Sequence, residues 1–178
     1  MLMKLLLLRH GETFENQEGI IQGWHDNHLS QHGHAQAKQA AAAFTEQVGA
    51  IFCSDLARCR DTAQYFQEVL KNVPFFIDWR LRELDFGSAT GSHKHDHDWE
   101  VLWASTPHGK SMIEGAEPLQ LFQARVEQFI ASLEQLHTAF ASVLIVTHGG
   151  TINRFLQAID AEHNYTAIKN CSITERTI

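Results

Sequence analysis

The chain has 178 residues, 44% of them hydrophobic, which is enough for one domain with a buried core. A formal charge of −7 excludes general affinity for nucleic acid or an anionic membrane surface, and no apolar run reaches the roughly 18 residues that a spanning helix needs. Cys53, Cys59 and Cys171 are odd in number, widely spaced and outside any C-x-x-C pair, so neither a disulfide framework nor a structural zinc site is expected.

The first predicted element is a strand over Leu5 to Leu8. This run is shorter than the core of a secretion signal and leads straight into Arg9, His10 and Gly11, so a cytoplasmic protein is expected. A loop containing Gly11, Gly19 and Gly23 follows. Ser30 is placed as the N-cap of an Ala-rich helix that reaches about Gln47 and is stopped by Gly49. Ala50 to Cys53 reads as a second strand. Leu56, Cys59, Ala63, Phe66 and Leu70 recur at spacings of three and four, one face of a helix. Val73 to Ile77 reads as a third strand.

From about Gly87 to Gly115 the chain is irregular, with four glycines, a proline and a His/Asp cluster. Pro118 then opens a helix as its N1 residue, with Leu119, Phe122, Val126, Phe129, Leu133 and Leu136 as the apolar face. Val143 to Val146 is a fourth buried strand. Thr147-His148-Gly149-Gly150 turns into a helix ending near Ile159, and Cys171 to Ile178 is placed as an edge strand. Alternation of short apolar runs with helical periods predicts an α/β domain with a largely parallel sheet.

Three polar groups stand just after predicted strands and just before helices: Arg9-His10-Gly11, the segment from Ser54 to Arg58, and His148-Gly149-Gly150. In an open parallel sheet these meet at the carboxyl ends of the strands, where ligands bind. Helix N-termini there favour an anion, and two arginines add fork-shaped donors suited to phosphate oxygens. The two glycine-flanked histidines offer a nucleophile and a partner. The pattern is one for phosphate, and at this point it fits a binding module as well as an enzyme.

LLRHGET followed by Asn16, then IQGWHDNHLSQHGHAQA, CSDLARCRDTA, LRELDFG, GAEPLQLFQARV and VLIVTHGGTINRFL, occur in this order along nearly the whole chain. Together they resemble the histidine phosphatase superfamily, also called the phosphoglycerate mutase-like family. The resemblance implies a three-layer α/β/α sandwich, its mostly parallel sheet carrying an antiparallel edge strand, as a single domain over residues 1–178 with a small cap insertion at about 87–115. It implies His10 as the nucleophile that takes the phosphoryl group. Arg9, Arg58 and His148 would surround the phosphoryl oxygens, and Asn16 and the backbone at Gly149 would donate to them. Glu83 would be the acid for the leaving oxygen and then the base for water. Thr13, Gln22 and Gly23 match pocket positions. No metal or cofactor is implied, and the partner is a small phosphorylated metabolite.

Some positions depart from the family. The common F-G-x-W-E-G reads Phe86-Gly87-Ser88-Ala89-Thr90-Gly91, the usual alanine after the second arginine is Cys59, and a usual glutamine is Asp61. The short cap and the Glu83-Leu84-Asp85-Phe86-Gly87 segment, in place of an ERHYG-like one, point to the phosphatase branch: a small cap lets water reach a phosphohistidine. Mutase-type transfer between hydroxyls and a non-catalytic phosphate-ligand module are the alternatives.

The remaining features have blander readings. ASTPHGKS, residues 104–111, matches a relaxed P-loop, but Gly115 and Pro118 follow too soon for the helix it needs. His93, His95, His97, Asp96 and Asp98 read as a solvated loop rather than a metal site. Arg60, Arg80 and Arg82 read as surface or rim charges, Trp24 as a pocket or packing residue, and Trp99 and Trp103 as a cover over the core.

Overall fold

The computed structural model describes residues 2–103 and 111–178. The leucine run becomes β1 (Lys4–Arg9), whose four central side chains are all buried, as a strand covered on both faces requires. A short helix, α1 (Phe14–Gln17), follows Thr13, and α2 (Gln31–Ala42) starts at the Ser30 cap, whose side chain accepts from the Gly33 N–H. Then come β2 (Ala50–Cys53), α3 (Ala57–Val69), β3 (Phe75–Ile77), α4 (Trp99–Leu102), α5 (Leu119–Glu134), β4 (Ser142–Thr147), α6 (Gly149–Ile159) and β5 (Ile173–Thr177).

The sheet order is β3-β2-β4-β1-β5, parallel except for β5, which pairs antiparallel with β1. Side chains alternate between its faces with period two. Leu5, Leu7, Phe52, Val143 and Ile145 pack with Phe122, Val126 and Phe129 of α5 and with Ile152 and Phe155 of α6. Leu6, Leu8, Ile51, Cys53, Leu144 and Val146 face the other way, toward Ala41 of α2 and Cys59, Ala63 and Phe66 of α3. The three-layer α/β/α arrangement follows from this split. No helix of the described residues is long and apolar enough to cross a membrane.

The register positions the site. Leu8 pairs with Val146, Val146 with Cys53, and Cys53 with Ile77. The parallel strands therefore end on one line, and Arg9-His10, Ser54 and Thr147-His148 emerge side by side at the same edge.

Several boundaries differ from the sequence expectation. α2 stops at Ala42 rather than near Gln47, because the chain turns down to pack the Phe44 ring 5.4 Å from Phe66 and to bring the Gln47 carbonyl onto Ser142 Oγ at 2.6 Å. Gly49 has no room for a side chain: a Cβ there would lie 2.8 Å from the Phe140 ring. β3 begins at Phe75 rather than Val73. Pro118 is the N-cap of α5 and not its N1 residue, since its ψ of 135° is extended. Cys171 adopts φ 54° in a turn whose N–H bonds the Arg9 carbonyl at 3.0 Å, so the edge strand starts only at Ile173. α1 had no apolar period to announce it.

Candidate active site

His10 leaves the end of β1 with its N–H on the Thr147 carbonyl at 2.9 Å. Its ring Nδ1 lies 2.7 Å from the Gly11 carbonyl. A carbonyl only accepts, so Nδ1 carries the proton and Nε2 keeps its lone pair. Burial pushes the His10 pKa well below the usual histidine value, and Arg58 and Arg9 push it the same way. The ring is therefore neutral at neutral pH. Its backbone is held tightly: the Gly11 N–H donates to Thr62 Oγ1 at 2.9 Å, and a Cβ on Gly11 would lie 2.7 Å from the Gly33 carbonyl. The glycine pair lets the first turn of α2 press on the loop after His10.

His148 caps α6 and is fully buried behind His10, the ring centroids 5.1 Å apart at an angle of 62°. Its Nε2 meets Ser54 Oγ at 3.0 Å and Cys59 Sγ at 3.4 Å. Burial, then Arg58 and His10, lower its pKa well below normal. Burial pushes the Cys59 thiol up to about 12, so it remains protonated.

Arg58, at 1% exposure, is pinned by three acceptors: the carbonyls of His25 and Gly23, each at 2.8 Å, and Asn27 Oδ1 at 3.0 Å. Arg9 donates to the Ile168 carbonyl. The Nε atoms of both arginines are buried with no hydrogen-bond partner among the described residues. Two orphaned cationic donors beside one cavity are a strong demand for an anion.

Glu83 closes the other side. Its Oε2 accepts from the Gly150 N–H at 2.9 Å and its Oε1 from the Leu84 N–H at 3.0 Å. Its carbonyl is held by Trp24 Nε1 at 2.8 Å and by Arg125 at 2.7 Å. Arg125 is itself buried and paired with Glu117 at 2.7 Å.

Arg9, His10, Asn16, Gln22, Gly23, Arg58, Glu83 and Gly149 line one cavity of about 240 Å³. Asn16 Oδ1 accepts from the Thr13 N–H and from Asn170 Nδ2, leaving its Nδ2 as the donor not used among the described residues. Thr13 does not line the cavity. It is fully buried behind the wall, where its hydroxyl holds Gln22 Oε1 at 3.0 Å. His148 likewise stands behind His10 and not on the wall. Sequence reasoning missed Lys94, Tyr165 and Ile168 as lining residues; none lies in a periodic element or a motif. It also missed Arg125, although a charge on the apolar face of α5 was a signal.

Of the other candidates Trp103 lines the cavity; Trp24, Arg60, Arg80 and Arg82 do not. Trp24 packs under the Arg82 guanidinium at 4.7 Å, while Arg82 pairs with Asp55 and Arg80 with Asp78, both at 2.6 Å. Among the described residues no three His, Cys, Asp or Glu side chains converge as a metal site; His97 Nε2 goes to Ser92 Oγ at 2.6 Å. Ala89 is buried, and Thr90 packs beside Gly23, where the usual Trp-Glu pair is missing. The Trp103 ring packs between Phe86 and Phe122. The Trp99 side chain and residues 104–110 of the P-loop-like run lie outside the described residues.

The chain is similar to known proteins over nearly its whole length. Residues 5–178 match the histidine phosphatase superfamily (branch 1). A Hydrogenobacter thermophilus protein assigned provisionally as phosphoserine phosphatase 2 is 31% identical, the match covering 97% of this chain and 88% of that one. A Klebsiella pneumoniae protein assigned provisionally as the phosphoglycerate mutase GpmB is 33% identical over 97% of this chain and 84% of its own. The structure of a mycobacterial glucosyl-3-phosphoglycerate phosphatase superposes with a TM-score of 0.83 at 27% identity, covering 98% of this chain and 90% of that one.

Proposed function

The chain belongs to the histidine phosphatase superfamily, and from that premise we propose that it hydrolyses phosphomonoesters of small metabolites through a phosphohistidine on His10. The observation that carries this reading is the His10 ring itself: neutral, protonated on Nδ1 by its bond to Gly11, and set in one cavity with Arg9, Arg58 and Glu83.

In the first step Nε2 bonds to phosphorus as the ester P–O bond breaks. Glu83 gives its proton to the departing oxygen. The Nδ1–H on the Gly11 carbonyl supports the positive charge that the ring gains. Arg9, Arg58, Asn16 and the N-terminus of α6 at Gly149 take the charge spread over the phosphoryl oxygens. In the second step water attacks phosphorus, the carboxylate of Glu83 takes its proton, and the P–N bond breaks. His148 acts from behind His10, holding the nucleophile's ring in place. The two guanidiniums supply the positive charge that a metal supplies in other phosphatases, so the reaction is metal-independent.

The described residues of the stretch 87–115 serve as a small cap, with Lys94 and Trp103 on the cavity wall. Three free thiols fit a reducing, cytoplasmic setting. The mutase names of several relatives favour a second reading, transfer to another hydroxyl in place of water. A chromogenic phosphate ester tests the main one. The wild type should release phosphate with a chelator present, and His10→Ala should not. Turnover retained in that variant, or isomerisation of a phosphoglycerate outrunning phosphate release, would overturn it.

A further inference from the structure

A second hollow, of about 300 Å³, lies against the first. The two share Trp103, Gly150 and Tyr165, and the rings of Trp103 and Tyr165, 5.4 Å apart, form the partition. Beyond it the wall is Leu119, Asn153, Arg154 and Gln157. Gly150 ties the two compartments together. Its N–H holds the Glu83 carboxylate at 2.9 Å, so the group placed to protonate a leaving oxygen stands next to the partition. A leaving group that departs at Glu83 has the second hollow beside it.

Arg154 gives that hollow its chemistry. It follows Gly150 by four residues on α6, so both lie on one face of the helix. Its side chain is half-buried, and its Nε is buried with no hydrogen-bond partner among the described residues. Arg80, Arg82 and Arg125 each have a carboxylate within ion-pair distance; among the described residues Arg154 has none. Glu127 acts on it only from a distance, and the Phe122 ring, 5.9 Å from the guanidinium, orients it without neutralising it. A half-buried guanidinium with no counter-ion among the described residues, facing a mostly apolar hollow, is suited to an anionic group on an apolar body.

We propose that this hollow is a second subsite, in which Arg154 binds a distal carboxylate or phosphate of the substrate while Trp103 and Tyr165 pack against its body. This rests on the reading of His10 as the phosphoryl site. The preferred substrates are then phosphomonoesters with a second anionic group at the far end of the leaving alcohol.

The test compares kcat/KM for phenyl phosphate, 4-carboxyphenyl phosphate, 4′-carboxybiphenyl phosphate and 1,4-phenylene bisphosphate in the wild type, Arg154→Ala, Arg154→Lys and Lys94→Ala. The wild type should favour at least one doubly anionic ester over phenyl phosphate by about tenfold, the order expected of one charge-assisted hydrogen bond. Whether the carboxylate or the bisphosphate is favoured identifies the anion. Arg154→Ala should lose that preference, Arg154→Lys should keep part of it, and Lys94→Ala, at the rim of the first cavity, should keep all of it. No preference in the wild type, a preference that survives Arg154→Ala, or one that disappears with Lys94→Ala would overturn the subsite and leave the His10 reading standing. Failure of the wild type to hydrolyse any of the four esters would overturn both.

Discussion

Gly150 and Glu83 touch so closely that any side chain at residue 150 would push the Glu83 carboxylate aside. The Gly150 N–H donates to Glu83 Oε2 at 2.9 Å, and a Cβ on residue 150 would collide with Oε1 of the same carboxylate. The turn after His148 therefore sets where the proposed acid stands.

Gly150→Ala should displace the Glu83 carboxylate, and the edge of the Trp103 ring beside it, without removing either. The loss in kcat should be about 10²-fold or more, the scale of general acid catalysis. It should be larger for an alkyl phosphate, which needs its leaving oxygen protonated, than for 4-nitrophenyl phosphate. Equal losses on the two esters would contradict a role for Glu83 as the acid.

Arg58→Lys should harm both activity and stability. A lysine cannot reach the Gly23 and His25 carbonyls and Asn27 Oδ1 together, as Arg58 does. The cost should be about 2–4 kcal/mol in unfolding free energy, from buried acceptors left unpaired. A fall in kcat/KM of about 10²-fold or more should accompany it. Urea denaturation and steady-state kinetics on one ester measure the two effects.

Acid should destabilise the fold through His10 and His148. Both have folded pKa values well below the ordinary 6.5. Above pH 6.5 each is neutral in both states and adds no pH dependence. Below it the unfolded chain takes up two protons that the folded chain refuses. Stability should then fall by about 1.4 kcal/mol per pH unit for each histidine, continuing until the folded values are reached. Unfolding free energies between pH 7 and pH 5 measure this slope, and His148→Gln should halve it. An unchanged slope would contradict the burial of neutral histidines.

Ser54→Ala should leave His148 Nε2 with only the Cys59 thiol at 3.4 Å in place of the hydroxyl at 3.0 Å. The ring behind His10 loses its anchor, so kcat should fall by about tenfold with KM little changed, the order of one lost buried hydrogen bond. Ser54→Thr, which keeps a hydroxyl, should recover part of it.

What was legible in the sequence was the sheet edge. Apolar runs ending in Arg9-His10-Gly11 and Thr147-His148-Gly149 mark two strand ends, and the Leu8–Val146 pairing puts them on one line. His10, Arg58 and Glu83 meet in one cavity because three separate motifs end there. What was not legible depends on packing between distant segments. Thr13 sits in a motif yet faces inward to hold Gln22. Arg125 reaches the Glu83 carbonyl from 42 residues away. Tyr165 and Ile168 come to the wall from a segment with no period at all. Ala43 and the residues after it keep helical composition, but Phe44 is drawn onto Phe66 and the helix ends.

The central claim is a covalent phosphoryl group on His10. Rapid quenching of a single turnover with a ³²P-labelled ester, followed by peptide mapping, tests it directly. The wild type should carry acid-labile, base-stable label on the peptide containing His10. Glu83→Gln should accumulate it when a good leaving group is used, because water then lacks its base. Label on any other residue, or phosphate release by His10→Ala at the wild-type rate, would contradict the account.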